Sequence, residues 1–336
     1  MFTKYLAALL LVVSLPLAAQ ETGDESMSED QPELARCINL GNMLEAPTEG
    51  EWGLRVQEPW LQLIADAGFD TVRIPIRWSA HAAAEPPYTI DEAFFARVDE
   101  VVGWVLDAGL QAIINIHHYE EIHTDPEAHH ARLVALWEQI STHYQAYPNT
   151  LLFEVMNEPT GQFTARLWNE YQLEIVEVIR ATNPTRTIVI GGVNWNSIWQ
   201  LPWIKLPQDK TNLIVTFHNY EPFEFTHQGA EWSSGTDAYL GREWPIRDDE
   251  VKLRQYFDYA AQWQKNLGVP LLMGEFGAYY KADMDSRIRY TRAVVEQAEA
   301  AGIAWCYWEF AAGFGIYDRM TGRFNDLYRA LIPEGA

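Results

Sequence analysis

The chain has 336 residues and a formal net charge of −23. That charge argues against nucleic acid or an anionic membrane surface as partner and favours a neutral ligand. Two cysteines exclude a disulfide-built scaffold, whereas 14 Trp and 16 Tyr exceed what a core requires and leave a few for stacking on a ligand.

The opening, MFTKYLAALLLVVSLPLAAQ, sets Lys4 before an apolar run that ends in small residues near Ala18 and Ala19. This pattern predicts a signal peptide over residues 1–19, too short and wrongly flanked to be a spanning helix. No cysteine stands at the expected cleavage point, which argues against a lipid anchor. Residues 20–33 are acidic and polar and read as a disordered lead-in. Residues 34–336 then form one domain, with no linker or repeat inside it. No later run is apolar enough to span a membrane, so the expectation is a soluble protein, secreted or periplasmic.

Strand-like apolar runs follow at CINLG, DTVRIPI, QAIINIH, LLFEVM, TIVIGG, NLIVTFH, PLLMGEF and IAWCYWEF. Most are separated by stretches of helical period, such as EPWLQLIADAG, FFARVDEVVGWVLDAG and LRQYFDYAAQWQKNLG, several of which stop at Gly. Eight strands alternating with helices predict an α/β fold, the (β/α)8 TIM barrel. An open doubly wound sheet would need a phosphate-binding glycine loop after an early strand, and NLGNMLEAPTEG lacks that spacing. Strand parity turns Cys37 with Asn39, and Cys306 with Trp308, toward the barrel interior. Inward residues of neighbouring strands alternate between layers. A bridge stays open to an exported protein, and the reading favours two buried thiols.

Chemistry in such a barrel collects at the C-terminal strand ends. Those ends carry Asn39 and Asn42, Arg73, His117 and His118, Asn157 and Glu158, Trp195, His218 and Tyr220, Glu275, and Trp308. Pro159 stops the fourth strand and leaves Glu158 at its lip; Glu275 ends the seventh in the same way. Two carboxylates across a barrel mouth suit glycosidic bond cleavage, one protonating the leaving oxygen and the other attacking the anomeric carbon or activating water. Glu154 shares the parity of Glu158 but lies deeper, roughly 13 Å along an extended strand, and reads as a paired structural acid. Arg73 must also be paired, because an unpaired buried charge costs several kcal/mol. An acid working near neutrality needs a raised pKa, and a neighbouring anion can supply it.

The ordered segments CINLGNMLEAP, VRIPIRWS, INIHHYEE, FEVMNEP, FHNYEPFEFTHQGAEW, GEFGAYY and YWEF resemble glycoside hydrolase family 5, nearest its bacterial endo-β-1,4-glucanases and glucanase/mannanases. The resemblance implies a retaining double displacement, with Glu158 as acid/base and Glu275 as nucleophile about 5–5.5 Å apart. It implies that Arg73 and Tyr220 hold the nucleophile, that Asn157 binds the sugar 2-hydroxyl and that His218 tunes Glu158. His117, His118, Trp308, Asn42 and Glu45 would line the sugar subsites, with His227 and Trp232 contacting the chain from a loop. A cis peptide after Trp308 is implied as well. Where the family usually has arginine or glycine in the first strand this chain has Cys37, a difference of packing. Trp195 and Trp232, in strand-end loops, are aromatic binding candidates, and Trp52 is undecided.

The expected partner is a β-linked polysaccharide or oligosaccharide, β-1,4-glucan first and mannan or glucomannan as the alternative, acted on by a monomer without cofactor. A carbohydrate-binding barrel without chemistry is the non-enzymatic alternative; the presence of both glutamates, Asn157 and Arg73 tells against it. The histidines of HHYEEIHTDPEAHH invite a zinc reading. They lack a metal-binding spacing, and no metal is expected.

Overall fold

The computed structural model describes residues 34–333. The signal peptide expected over 1–19 and the lead-in expected over 20–33 lie outside the described residues. Eight parallel strands close into a barrel in sequence order: β1 (Arg36–Asn39), β2 (Thr71–Ile74), β3 (Gln111–Asn115), β4 (Leu151–Glu154), β5 (Ile188–Gly191), β6 (Leu213–Asn219), β7 (Leu271–Phe276) and β8 (Ala304–Tyr307). Each overlaps one of the eight predicted runs, β1 starting one residue before its run and β6 ending one residue after. The longer returning helices are α1 (Glu58–Asp66), α2 (Glu92–Asp107), α3 (Pro126–His143), α4 (Ala165–Thr182), α5 (Asp249–Leu267) and α6 (Met284–Ala300). The crossover from β5 to β6 has only short helical turns, the longer being Ile198–Trp203.

Local chemistry sets the helix limits. Asp91, Thr164 and Asp283 accept backbone N–H groups at the starts of α2, α4 and α6, satisfying donors that have no partner within the helix. Gly268 ends α5 at φ 66°, a conformation that other residues reach only with strain. No helix among the described residues is long and apolar enough to cross a membrane.

Inward positions change character with height. Cys37, Ile113, Leu152, Val189, Ile214, Leu272 and Cys306 pack together as an apolar floor. Two residues further along their strands stand Asn39, Asn115, Glu154 and Thr216, with Arg73 level with Asn39 on β2, all buried. The barrel is therefore sealed below, and its polar groups sit beneath the mouth.

The two cysteines correct the sequence reading. Cys37 and Cys306 form a disulfide, with Cα atoms 4.1 Å apart. Layer alternation favoured two separate thiols, but β1 pairs with β8 in a register that sets Cys37 directly opposite Cys306. The bridge joins the first strand to the last across 269 residues of sequence. Cys306→Ser is expected to cost about 3–5 kcal/mol, since a long closed loop restricts the unfolded chain most. Thermal denaturation with and without reductant checks this; equal midpoints would contradict it. Both cysteines are fully buried, so the folded protein should resist reduction until it opens.

Candidate active site

Arg73 organises the mouth. Its side chain is fully buried, and all five of its N–H groups have acceptors. Nε and Nη2 grip Glu154 at 2.6 and 2.8 Å. Nη1 donates to Asn39 at 2.9 Å and to Glu275 at 2.7 Å, and Nη2 donates to Asn157 Oδ1 at 2.8 Å. Because Arg73 takes the carbonyl of Asn157, the amide's NH2 is left as its donor. Asn39 is itself fixed, its Nδ2 donating to the backbone carbonyls of Gly274 and Tyr307.

Glu275 and Glu158 meet around His218. Glu275 Oε2 accepts from the Tyr220 hydroxyl at 2.9 Å. His218 Nδ1 lies 2.7 Å from Glu158 Oε1 and 3.7 Å from Glu275 Oε2. A register shift between Phe217 and His218 brings His218 level with Glu275 on the neighbouring strand. Gly274 makes room there, since a Cβ at that position would stand 3.0 Å from His218 Nε2. Glu158 adopts a φ of 49°, so the chain turns sharply after β4. The straight-strand estimate of its distance from Glu154 therefore does not apply, and the two carboxylates interact electrostatically.

Burial dominates the titration of this group. It pushes Glu158 up to about 8, opposed by Arg73 and reinforced by Glu154. The sequence reading gave that role to the neighbouring anion; burial is the larger cause. The Glu158 side chain keeps 24 % exposure, which leaves a route for its proton. Glu275 is also raised by burial, with His218 and Arg73 pulling it back. Burial lowers His218 to about 4, so the imidazole is neutral at pH 7 and one proton lies between it and Glu158. Glu158, His218 and Glu275 bring one ligand atom each within 4.8 Å of one another. A metal ion at that point would face the fixed charge of Arg73.

Aromatic groups extend the site on several sides. His117 stacks on Trp308 with centroids 5.6 Å apart and planes 9° from parallel, and the Trp308–Glu309 peptide is cis as the resemblance implies. His118 meets Trp52 edge-on at 5.7 Å, which brings that undecided tryptophan to the mouth. His227 lies 4.9 Å from Tyr220 and 6.2 Å from Trp232. Trp195 donates its backbone N–H to Pro159, directly after Glu158. Trp195 and Trp232 are exposed, at 61 % and 60 %.

A Cellulase (glycosyl hydrolase family 5) model matches residues 38–313. The chain belongs to glycosyl hydrolase family 5. Endoglucanase H of Acetivibrio thermocellus is 38 % identical over 305 residues, which cover 88 % of this chain and 32 % of that protein. The family 5 chain thus spans about a third of the length of Endoglucanase H, and likewise of Cellulase/esterase CelE from the same organism. Among solved structures, Thermotoga maritima Cel5A in complex with cellobiose aligns with a TM-score of 0.87 at 49 % identity, covering 89 % of this chain and 97 % of that one. The same Cel5A in complex with mannotriose aligns equally well.

Other residues around this family 5 site have partners of their own. Glu45 is buried and accepts the backbone N–H groups of Asn42 and Met43, so it shapes the loop carrying Asn42. The loop histidines do not converge: His129 meets the Tyr119 hydroxyl at 2.8 Å and His130 meets Glu174 at 2.7 Å. Sequence reasoning also missed two supporting residues. Asn115 donates to Glu154 at 3.3 Å, and its place two residues before His117 on the inward face was available as a signal. Glu309 accepts N–H groups from Ala311, Ala312 and Phe314, a contact that no pattern announces.

A carboxyl-carbon NMR titration should find Glu158 protonated at neutrality and ionising as pH rises through about 8. The signal is identified by its loss in Glu158→Gln, because buried Glu45 is raised to the same range. Ionisation of Glu158 below about pH 5, the ordinary carboxyl range, would contradict this account.

Proposed function

We propose that the protein is a secreted or periplasmic, endo-acting β-1,4-glucanase that cleaves its polymer with retention of anomeric configuration. The observation that carries this reading is the pair Glu158 and Glu275, with one carboxylate oxygen of each within 4.8 Å of the other and different surroundings. That separation is short for an inverting enzyme, whose carboxyl groups stand about 6.5–9.5 Å apart to admit water.

In the first step, Glu158 gives its proton to the glycosidic oxygen while Glu275 attacks the anomeric carbon, forming a glycosyl ester and releasing the leaving chain. Arg73 and Tyr220 each hold one oxygen of Glu275, which orients the carboxylate and favours its ionised form. Asn157 can donate its NH2 to the 2-hydroxyl of the sugar being attacked. In the second step Glu158, now ionised, takes a proton from water as the water opens the ester. Trp308 with His117 offers an apolar face for the sugar ring. Exposed Trp195 and Trp232 support contact with a chain that continues beyond the reacting unit, as mid-chain cleavage requires.

Mannan or glucomannan is a second reading. It is supported by the 49 % identical Thermotoga maritima Cel5A, whose structures include complexes with cellobiose and with mannotriose. An activity panel on defined glucans and mannans separates the two.

Glu275→Ala is expected to abolish turnover of every substrate. Glu158→Ala should lose less on nitrophenyl glycosides, whose leaving group departs without a proton, and added azide should restore part of its rate as a β-glycosyl azide. Proton NMR of early wild-type products should find the β-anomer first. An initial α-anomer would overturn the assignment of Glu275 as nucleophile.

A further inference from the structure

The crossover between β5 and β6 carries tryptophans at four-residue intervals, Trp195, Trp199 and Trp203, exposed at 61 %, 56 % and 65 %. Trp195 belongs to the rim already described. Trp199 instead walls a cavity of about 840 Å³, within the range of small-ligand sites. Its other walls include Asn219 and Glu221 at the end of β6, Tyr239 and Arg247 from the following loop, and Tyr256 from α5.

This cavity backs onto the active site. His218 and Tyr220 contact the carboxylates, while Asn219 between them lines the cavity, as strand alternation requires. The Tyr256 hydroxyl donates to the His218 carbonyl at 2.9 Å. Asn219 is fully buried, and its Oδ1 accepts from Glu221 N–H at 3.2 Å. Its Nδ2 has no hydrogen-bond partner among the described residues, a donor that a ligand hydroxyl or a bridging water would satisfy.

The chemistry of the walls selects the ligand class. Much of the charge is spent in internal pairs, Arg242 with Asp249 at 2.9 Å and Lys252 with Asp248 at 3.2 Å. Glu221, Glu224 and Arg247 remain, of mixed sign, so the site suits neither a simple anion nor a simple cation. Tyr256 and Tyr259 pack on Trp199 with centroids at 6.1 and 4.9 Å and steady an indole that is still more than half exposed. A steadied, exposed indole beside amide and carboxylate groups suits a neutral, polyhydroxylated ring.

We propose that this cavity is a second saccharide site that takes glucose units of a β-linked chain against Trp199. The proposal rests on the glucanase reading above. Continuity favours this occupant: Trp195 is bonded to Pro159 next to Glu158, and Trp199 is the next exposed indole along the crossover. A chain segment held there raises the local concentration of polymer at the mouth.

Calorimetric titration of cellotriose tests this in the full chain carrying Glu275→Ala. Two sites are expected in that protein, one after adding Trp199→Ala, and a weakened second site with Trp199→Phe. Retention of the mouth site proves each variant folded. A single site in both Glu275→Ala and its Trp199→Ala derivative overturns the cavity assignment and leaves the glucanase reading standing; no binding to Glu275→Ala overturns both. In the active protein, Trp199→Ala should raise KM for a soluble β-glucan about three- to ten-fold, the scale of one lost aromatic stack. Turnover of a nitrophenyl cellobioside should not change. An unchanged polymer KM counts against the site.

Discussion

One buried cation underlies the arrangement of the mouth. Arg73 has no contact with solvent, and two carboxylates, Glu154 and Glu275, depend on it for charge compensation. Removing one partner from such a buried set typically costs about 3–5 kcal/mol, because the remaining charges are left without a counter-ion or water. The fork geometry of the guanidinium divides the work. Glu154 takes the two-point grip that fixes its plane, while Glu275 takes a single N–H and a phenol. A carboxylate held by one donor on each oxygen is oriented and still has lone pairs to offer. Lysine could supply the charge at this position but not the planar fork.

The same burial acts on Glu158 and Glu275, yet their neighbours differ. Arg73 opposes the rise at both, but only Glu275 also takes a hydrogen bond from it, whereas Glu154 adds to the rise at Glu158. This asymmetry is what a proton donor and a nucleophile need from two otherwise identical groups. His218 belongs to it. An imidazole kept neutral by burial can touch Glu158 without contributing a positive charge that would strip its proton.

The barrel was legible in the sequence because its signals are local. Eight apolar runs, helical periods and terminal glycines each report on a few neighbouring residues, and the parallel topology follows from their alternation. The pairing of Arg73 was legible for a similar reason, since an inward arginine among Val72, Ile74 and Ile76 has to find carboxylates. What escaped depends on register and on backbone turns. The Cys37–Cys306 bridge follows from how β1 meets β8 at the seam, which no single segment encodes. The sharp turn after β4 that places Glu158 includes one residue at φ 49°. Glu45 and Glu309 hold loops through N–H groups within five residues of themselves, and such contacts leave no periodic trace. Trp199 could not be told from a core tryptophan, since exposure is set by what packs around it.

The central claim, that Glu275 is held by Arg73 and Tyr220 for direct attack on the anomeric carbon, is tested most directly by trapping. A 2-deoxy-2-fluoro cellobioside with a good leaving group slows the second step more than the first, so the glycosyl ester should accumulate. Intact-protein mass spectrometry should find one added 2-fluoro-cellobiosyl group, and peptide mapping should assign it to Glu275. An adduct on Glu158, or turnover without any covalent species, would contradict the account.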